Sequence, residues 1–283
     1  MKIIRNMRFI ICALAFLAQP LLAAKSSFDG VKLMTLNVAH ARATGVSQML
    51  QSTVQAEAHL HDIARLIRRE QPDIVAFQEI DKNAFWTGRI DQIQLIAEKS
   101  EYIHWFLGSH QSGGFLDYGT GLMSKHPLSN PMSITFRKPF ARPRKGFVLS
   151  VVDWPEIENT KVDVISVHLD FMSTSERRQE VNVLKNLLAG RENLRIVMGD
   201  FNTEFNHKAG LIRNLTNELG LRAWKPLSKD LVTFPKLDKR IDWVLVSDEF
   251  TFLRHRVLPD PVSDHNAVIV TVTLLNSALA EQP

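Results

Sequence analysis

Eight polar residues stand at the ends of apolar runs in this chain: Asn37, Glu79, His168, Asp200, Asn202, Asp242, Asp264 and His265. Their types fit one chemistry. Glu79, Asp264 and Asn37 offer oxygen donors to a magnesium ion, which keeps several waters and needs only one or two carboxylates. Hydrolysis of a phosphate ester requires in-line attack by water, neutralised charge on the phosphoryl oxygens and a protonated leaving group. Two histidines beside carboxylates can handle protons near neutral pH, and Asp242 is a candidate to orient His265. Each residue also has an ordinary structural reading. Asn and Asp cap strands and turns, a buried Asp pairs with Arg240, and a strand-end histidine can be a satisfied core group.

Gly199-Asp200-Phe201-Asn202 is the centre of the pattern. The run 194–198 before it is too short for a helix and reads as a buried strand. Gly199 allows a tight turn and close approach. Asp200 and Asn202, two apart, share a face. They could hold a water, a metal-bound oxygen or a phosphate, or could bond their own backbone in a turn.

The elements that must present these groups follow from periodicity. Residues 31–38 form a strand, 57–70 an amphipathic helix stopped at Gln71-Pro72, and 73–77 a second, buried strand. This strand–helix–strand order belongs to layered α/β folds. A helix follows around Ile90–Ala97, then strands over 102–108 and 119–124, with loops at 109–118 and 129–145. Strands at 147–152 and 162–167 form a hairpin. A helix runs from a capping box at Ser173 and Glu176 to Gly190, and another over 211–219 stops at Gly220. Strands at 241–246 and 266–274 complete the chain.

Seven stretches, in order, carry a resemblance: Thr35-Leu36-Asn37-Val38; Pro72 to Glu79; Tyr118 to Lys125; Val167-His168-Leu169; Gly199-Asp200-Phe201-Asn202; Arg240 to Val244; and Ser263-Asp264-His265. The chain resembles the endonuclease/exonuclease/phosphatase, or DNase-I-like, superfamily, from about residue 31 to 274, and within it a bacterial branch of metal-dependent hydrolases. The resemblance implies an α/β fold, a four-layer α-β-β-α sandwich with two central mixed β-sheets and the site at one edge. It implies a divalent metal, Mg2+ with Mn2+ as a substitute, held chiefly by Glu79 with Asn37 and Asp264. Asp200 would activate or position water, with Asn202 beside it. His265, oriented by Asp242, would act as base or phosphate ligand, and His168 would contact the phosphate or assist the leaving group. Arg89 is a candidate for binding a substrate phosphate, or a surface residue.

Lys2, Arg5 and Arg8, the apolar run 9–18 and the small residues around 22–24 read as a signal peptide, giving the organisation 1–24 signal and 25–283 a single catalytic domain. A periplasmic or secreted location follows. The sole cysteine, Cys12, lies in the signal, so the mature chain is expected without disulfides or cysteine-bound zinc. The 34 basic and 30 acidic residues give +4; without the three basic residues of the signal the balance is 31 to 30, about +1. That is not the basic excess of a general nucleic-acid binder; the one dense basic cluster is Arg137-Lys138, Arg142, Arg144 and Lys145. The expected activity is hydrolysis of a phosphate ester, a phosphodiester by preference, on a small or lipid-linked substrate. The alternative is a nuclease acting on DNA or RNA. Phe115, Phe171, Met172 and Phe205 fall in loops, where buried anchors are the expectation and exposure would favour a lipid surface. No stable protein partner is expected.

Overall fold

Val31–Asn37 forms β1 and Ile74–Asp81 forms β2, parallel neighbours joined by helix α1 (Thr53–Glu70). The helix starts earlier than its apolar periodicity suggests. Ser52 and Gln55 close a full capping box there, adding a solvated first turn. This computed structural model describes residues 29–137, 142–155 and 157–275; the signal segment and Lys138 lie outside them.

Helix α2 (Gln92–Ser100) leads into β3 (His104–Gln111) and β4 (Tyr118–Ser124). β5 (Ser129–Thr135) and β6 (Gly146–Asp153) precede β7 (Lys161–His168), α3 (Thr174–Ala189), β8 (Leu194–Asp200) and α4 (Leu211–Leu219). β9 (Leu221–Ala223), β10 (Asp242–Ser247), β11 (Phe250–Leu258) and β12 (Ala267–Leu274) follow. Two six-stranded mixed sheets result, in the orders β11-β12-β1-β2-β4-β3 and β5-β6-β7-β8-β10-β9.

Three apolar layers hold four structural ones together. Leu33, Ile74, Val164, Met198, Val244 and Val270 pack between the sheets. Leu60, Ile63 and Ile67 of α1 and Ile96 of α2 cover the outer face of the first sheet. Leu184 and Leu188 of α3 and Ile212 and Leu215 of α4 cover the second. This is the α-β-β-α sandwich expected.

Three strands depart from the sequence reading, one of them the three-residue β9 at the edge of the second sheet. β5 lies where a loop was expected: it is an edge strand, mostly exposed, with Pro131 inside an irregular register. Edge strands tolerate proline and show no apolar alternation. β11 was not anticipated for a similar reason. It is the opposite sheet's edge, and Arg254 and Arg256 interrupt its pattern with exposed charge, as edges exposed to other chains commonly do.

Candidate active site

The sandwich delivers the polar strand ends to one edge. β7 and β8 run parallel, so His168 and Asp200 finish side by side in register. β10 runs antiparallel to β8, and its first residue, Asp242, pairs with Asp200. β1 ends at Asn37, and Ser263 Oγ donates to its carbonyl at 2.6 Å, drawing the Ser263-Asp264-His265 segment to the same place. Asn37 then joins the sheets, its Nδ2 donating to Asp200 Oδ2 at 3.1 Å. Glu79 arrives by a bulge: the β2–β4 register skips it, and it adopts φ +50°. Such a bulge turns a side chain out of the pleat. Beneath it Gln78 is tied to Thr35 on the neighbouring strand and, across the sheets, to Ser166.

Gly199 sets the approach of the strands. Its φ is +148°, and a Cβ there would stand 2.0 Å from the Val167 carbonyl oxygen. Beyond it the turn reading of the motif holds, and it leaves one Asp200 oxygen facing the cleft. Asp200 Oδ1 accepts the Asn202 amide hydrogen at 2.9 Å, a turn contact, while Oδ2 faces the cleft groups. Asn202 gives its own Nδ2 to the Leu169 carbonyl at 3.0 Å.

His265 is buried, with Nδ1 2.9 Å from Asp242 Oδ2 and Nε2 3.9 Å from Asp200 Oδ2. Burial alone would lower its pKa, but the carboxylates of Asp242 and Asp200 outweigh it and raise it to about 10. Asp200 is pushed up to about 7, first by burial and then by the charge of Asp242, against the pull of His265. His168 goes the other way. Burial and the neighbouring Lys145 ammonium hold its pKa well below the usual histidine range. Its Nδ1 lies 3.3 Å from Lys145 Nζ and its Nε2 3.5 Å from Asp200 Oδ2. A neutral His168 with its hydrogen on Nε2 satisfies both neighbours.

Glu79 faces this group from the other sheet. Burial would raise its pKa, yet Lys145, His40, His168 and Arg42 together hold it well below the carboxylate range. Lys145 Nζ lies 3.2 Å from Oε1, and Arg42 Nη1 and His40 Nε2 lie 3.6 and 3.7 Å from Oε2. Asp264 pairs with Arg42 through Oδ2, while its buried Oδ1 has no hydrogen-bond partner. An ionised Glu79, an unspent Asp264 oxygen and the amide oxygen of Asn37 form an oxygen-donor set suited to a hard divalent cation. Asp200, Asp242 and His265 also place donor atoms within 4.8 Å of one another. That second group is a poorer ion site, because a protonated His265 has no lone pair to give.

Asn37, Glu79, His168, Asp200, Asn202, Asp264 and His265 line an open cleft of about 280 Å³, together with Arg42 and the rim residues Phe171, Phe234, Leu237 and Lys239. Asp242 stands behind His265. A separate hollow of about 230 Å³, bordered by Phe205, Leu227, Arg240 and Trp243, shares none of these residues.

Several sequence expectations change here. Arg89 does not border the cleft; it is exposed with its guanidinium over the Phe115 ring, 4.9 Å from the centroid. Among the described residues no buried Asp pairs with Arg240. That arginine donates to the Trp224 and Lys225 carbonyls and stacks on Trp243. The basic cluster is not one patch, since Lys145 turns into the site and Arg142 pairs with Asp170. Phe115, Phe171 and Met172 are exposed rather than buried anchors, and only Phe205 packs inward.

His40, Arg42 and Asp81 carry no sequence expectation, and Lys145 belongs there only to the basic cluster. His40 sits in a run, Ala39-His40-Ala41, with φ between 51° and 55°. Left-handed backbone at consecutive non-glycine residues persists only where side chains fix it. Here His40 Nδ1 meets buried Asp81 at 2.6 Å, and Asp81 also accepts from Trp86 and Gln92. The one signal available was the proximity of His40 and Arg42 to Asn37.

The sequence profile of the endonuclease/exonuclease/phosphatase family matches residues 34–265. The chain belongs to this family. No curated protein matches it at a significant level. Among solved structures, an endonuclease/exonuclease/phosphatase from Beutenbergia cavernae superposes with TM-score 0.69 at 22% identity, covering 87% of this chain and 72% of that one. A mannosyl-6-phosphatase of Bacteroides thetaiotaomicron gives 0.65 at 16% identity, over 87% of this chain and all of that one (100%). The human Nocturnin catalytic domain, with bound sulfate, gives 0.65 at 19% identity over 87% and 95%. These likenesses establish the DNase-I-like sandwich. Membership makes the chain a phosphoric ester hydrolase of the phosphoesterase and nuclease type, in a family generally dependent on divalent metal.

Proposed function

We propose that this protein is a magnesium-dependent phosphodiesterase that cleaves a small or lipid-linked phosphate ester by in-line attack of water. The observation that carries the reading is the buried group of Asp200, Asp242 and His265, with donor atoms within 4.8 Å of one another, sharing one cleft with Glu79 and Asp264. Glu79 and Asp264, with Asn37, would hold the metal, whose chemistry is to neutralise charge on the phosphoryl oxygens and lower the pKa of water.

Asp200, with a carboxyl near 7, takes the proton of the attacking water as the new P–O bond forms, and the departing oxygen takes a proton from solvent in the open cleft as the old P–O bond breaks; a general base works best near the operating pH. His265 keeps its own proton and offers Nε2–H to an oxygen on phosphorus, with Asp242 fixing the ring. His168 stays neutral and positions Asp200, and Asn202 holds the turn that presents it. Lys145 adds positive charge opposite the reacting phosphate.

For the substrate, support comes from the rim. Phe171 and Leu237 line the cleft and are 53% and 58% exposed, and Met172, next to Phe171 in the chain, is 67% exposed. Apolar tips beside a phosphate-handling cleft suit a ligand with an apolar portion. The near-neutral mature charge agrees. The signal-type amino terminus makes this a periplasmic or secreted activity, which cell fractionation tests.

The reading is tested on purified protein with plasmid DNA, RNA, sphingomyelin, phosphoinositides and generic phosphodiesters, with H265A as control. Turnover should require magnesium, stop with EDTA and vanish in H265A. Metal-independent turnover sinks the mechanism. Plasmid nicking far faster than any lipid or small-ester turnover makes the protein a nuclease instead.

A further inference from the structure

Arg42 lies between the two carboxylates expected to hold a metal. One Nη nitrogen pairs with Asp264 Oδ2, and the other is 3.6 Å from Glu79 Oε2. The guanidinium is also tied to its own loop, Nη1 to the Ala39 carbonyl and Nε to the Gly45 carbonyl, each at 3.1 Å. It borders the same cleft as Asp200 and His265.

The charges on the two carboxylates are unequal. Glu79 has Lys145 at 3.2 Å and His40 at 3.7 Å besides Arg42. Among the described residues, Arg42 is the only basic side chain paired with Asp264, and Asp264 Oδ1 has no partner at all. Both carboxylates that Arg42 engages belong to the oxygen-donor set that fits a divalent cation. A dication brought to Glu79 and Asp264 would meet Arg42 and Lys145 within a few ångströms. One of these cations must yield. Lys145 is buried, with His168 on its other side, whereas Arg42 is partly open to the cleft. A guanidinium released from a carboxylate matches a phosphate as well as it matched the carboxylate, because both accept its forked donors.

We propose that Arg42 is a transferable cation: it bridges Glu79 and Asp264 until a divalent ion takes those carboxylates, then turns to the substrate phosphate. The inference rests on the metal-dependent reading above. Its consequence is coupling. Metal binding frees the phosphate ligand, so metal and phosphate bind cooperatively, and Arg42 itself competes with the metal when no phosphate is present.

The test measures Mn2+ binding by the loss of the free-ion EPR signal, on the purified full protein, R42A and R42Q, with and without inorganic phosphate. Removing Arg42 should tighten Mn2+ binding about tenfold without phosphate, the order expected from lifting one unit charge from a partly wetted site. Phosphate binding to the Mn2+-loaded protein, read by calorimetry, should weaken about tenfold. A residue that merely braces the loop would leave metal affinity unchanged or weaken it when removed, and either result overturns the proposal. Unchanged phosphate affinity in both variants also overturns it. R42Q keeps the stem and some donors, and carries the test if R42A does not fold. Wild-type protein that binds no Mn2+ refutes the metal-dependent reading itself, and this inference with it; tight wild-type binding with no effect of Arg42 refutes only the inference.

Discussion

Replacing Asp242 by Asn tests the proton arrangement most directly. The substitution keeps the shape of a buried side chain and removes one charge. Asp242 Oδ2 is 2.9 Å from His265 Nδ1, and its charge is also the second cause, after burial, of the raised Asp200 carboxyl. Hydrogen bonds to charged groups are worth about 1.5–3 kcal/mol. At about 1.4 kcal/mol per decade, loss of that support in the transition state lowers kcat roughly ten- to a hundredfold. The pH profile is more diagnostic than the rate. In the wild type, turnover should rise as Asp200 ionises around pH 7 and fall as His265 loses its proton around pH 10. Without the Asp242 charge both groups lose their protons more easily, so both limbs move to lower pH. The assay is initial rate against pH, with saturating magnesium, on the best phosphodiester of the panel, with circular dichroism to check folding. A variant that keeps both limbs in place, or whose kcat stays within about twofold of wild type, refutes the coupling of these groups.

Stability should show the same protons. His265 has a folded pKa raised from 6.5 to about 10, so its contribution is complete below 6.5 and is lost as pH rises through about 10. Asp200, raised from 3.8 to about 7, likewise loses folded-state preference as pH climbs through that window. Above about pH 7.5, where the buried histidines His168, His110 and His255 are neutral whether folded or unfolded, the Tm in EDTA should therefore fall as pH rises towards about 10, and a rising Tm there would contradict the His265 assignment. His40→Ala should weaken Mn2+ binding about 10- to 100-fold, as loss of a side chain that orients a metal ligand does, measured by calorimetry. An unchanged affinity would remove His40 from the site. Gly199→Ala should cost about 3 kcal/mol or more in urea denaturation, at the upper end of overpacking, since its Cβ meets the Val167 carbonyl. The double change F171S/M172S should slow turnover on a vesicle-borne substrate about tenfold, from lost apolar contact, while sparing a soluble ester. Equal effects on both substrates would argue against a rim that meets lipid.

Much of the fold was legible because buried strands and amphipathic helices carry their burial in their spacing. β1, β2, β7, β8, β10 and β12 are buried on both faces, and each reads as an apolar run. The edge strands β5 and β11 are solvated and carry no such run, so only pairing with β6 and β12 makes them strands. The same contrast applies to the site. Asn37, Glu79, His168, Asp200, Asp242, Asp264 and His265 are visible because each interrupts or borders an apolar run, where a polar residue must have a reason. Arg42, His40 and Lys145 lie outside the strands and helices read from the sequence and give no such signal. Their roles arise from a left-handed turn and a strand entry that bring them to Glu79 from positions 37, 39 and 66 residues away in the chain. By itself the sequence determined which groups could act on a phosphate ester and which elements would carry them. Tertiary structure decided how those groups share charge, because protonation depends on burial and on distances of a few ångströms between strands. It leaves Asp200 near neutrality, His265 protonated and His168 neutral, and it sets Arg42 between Glu79 and Asp264.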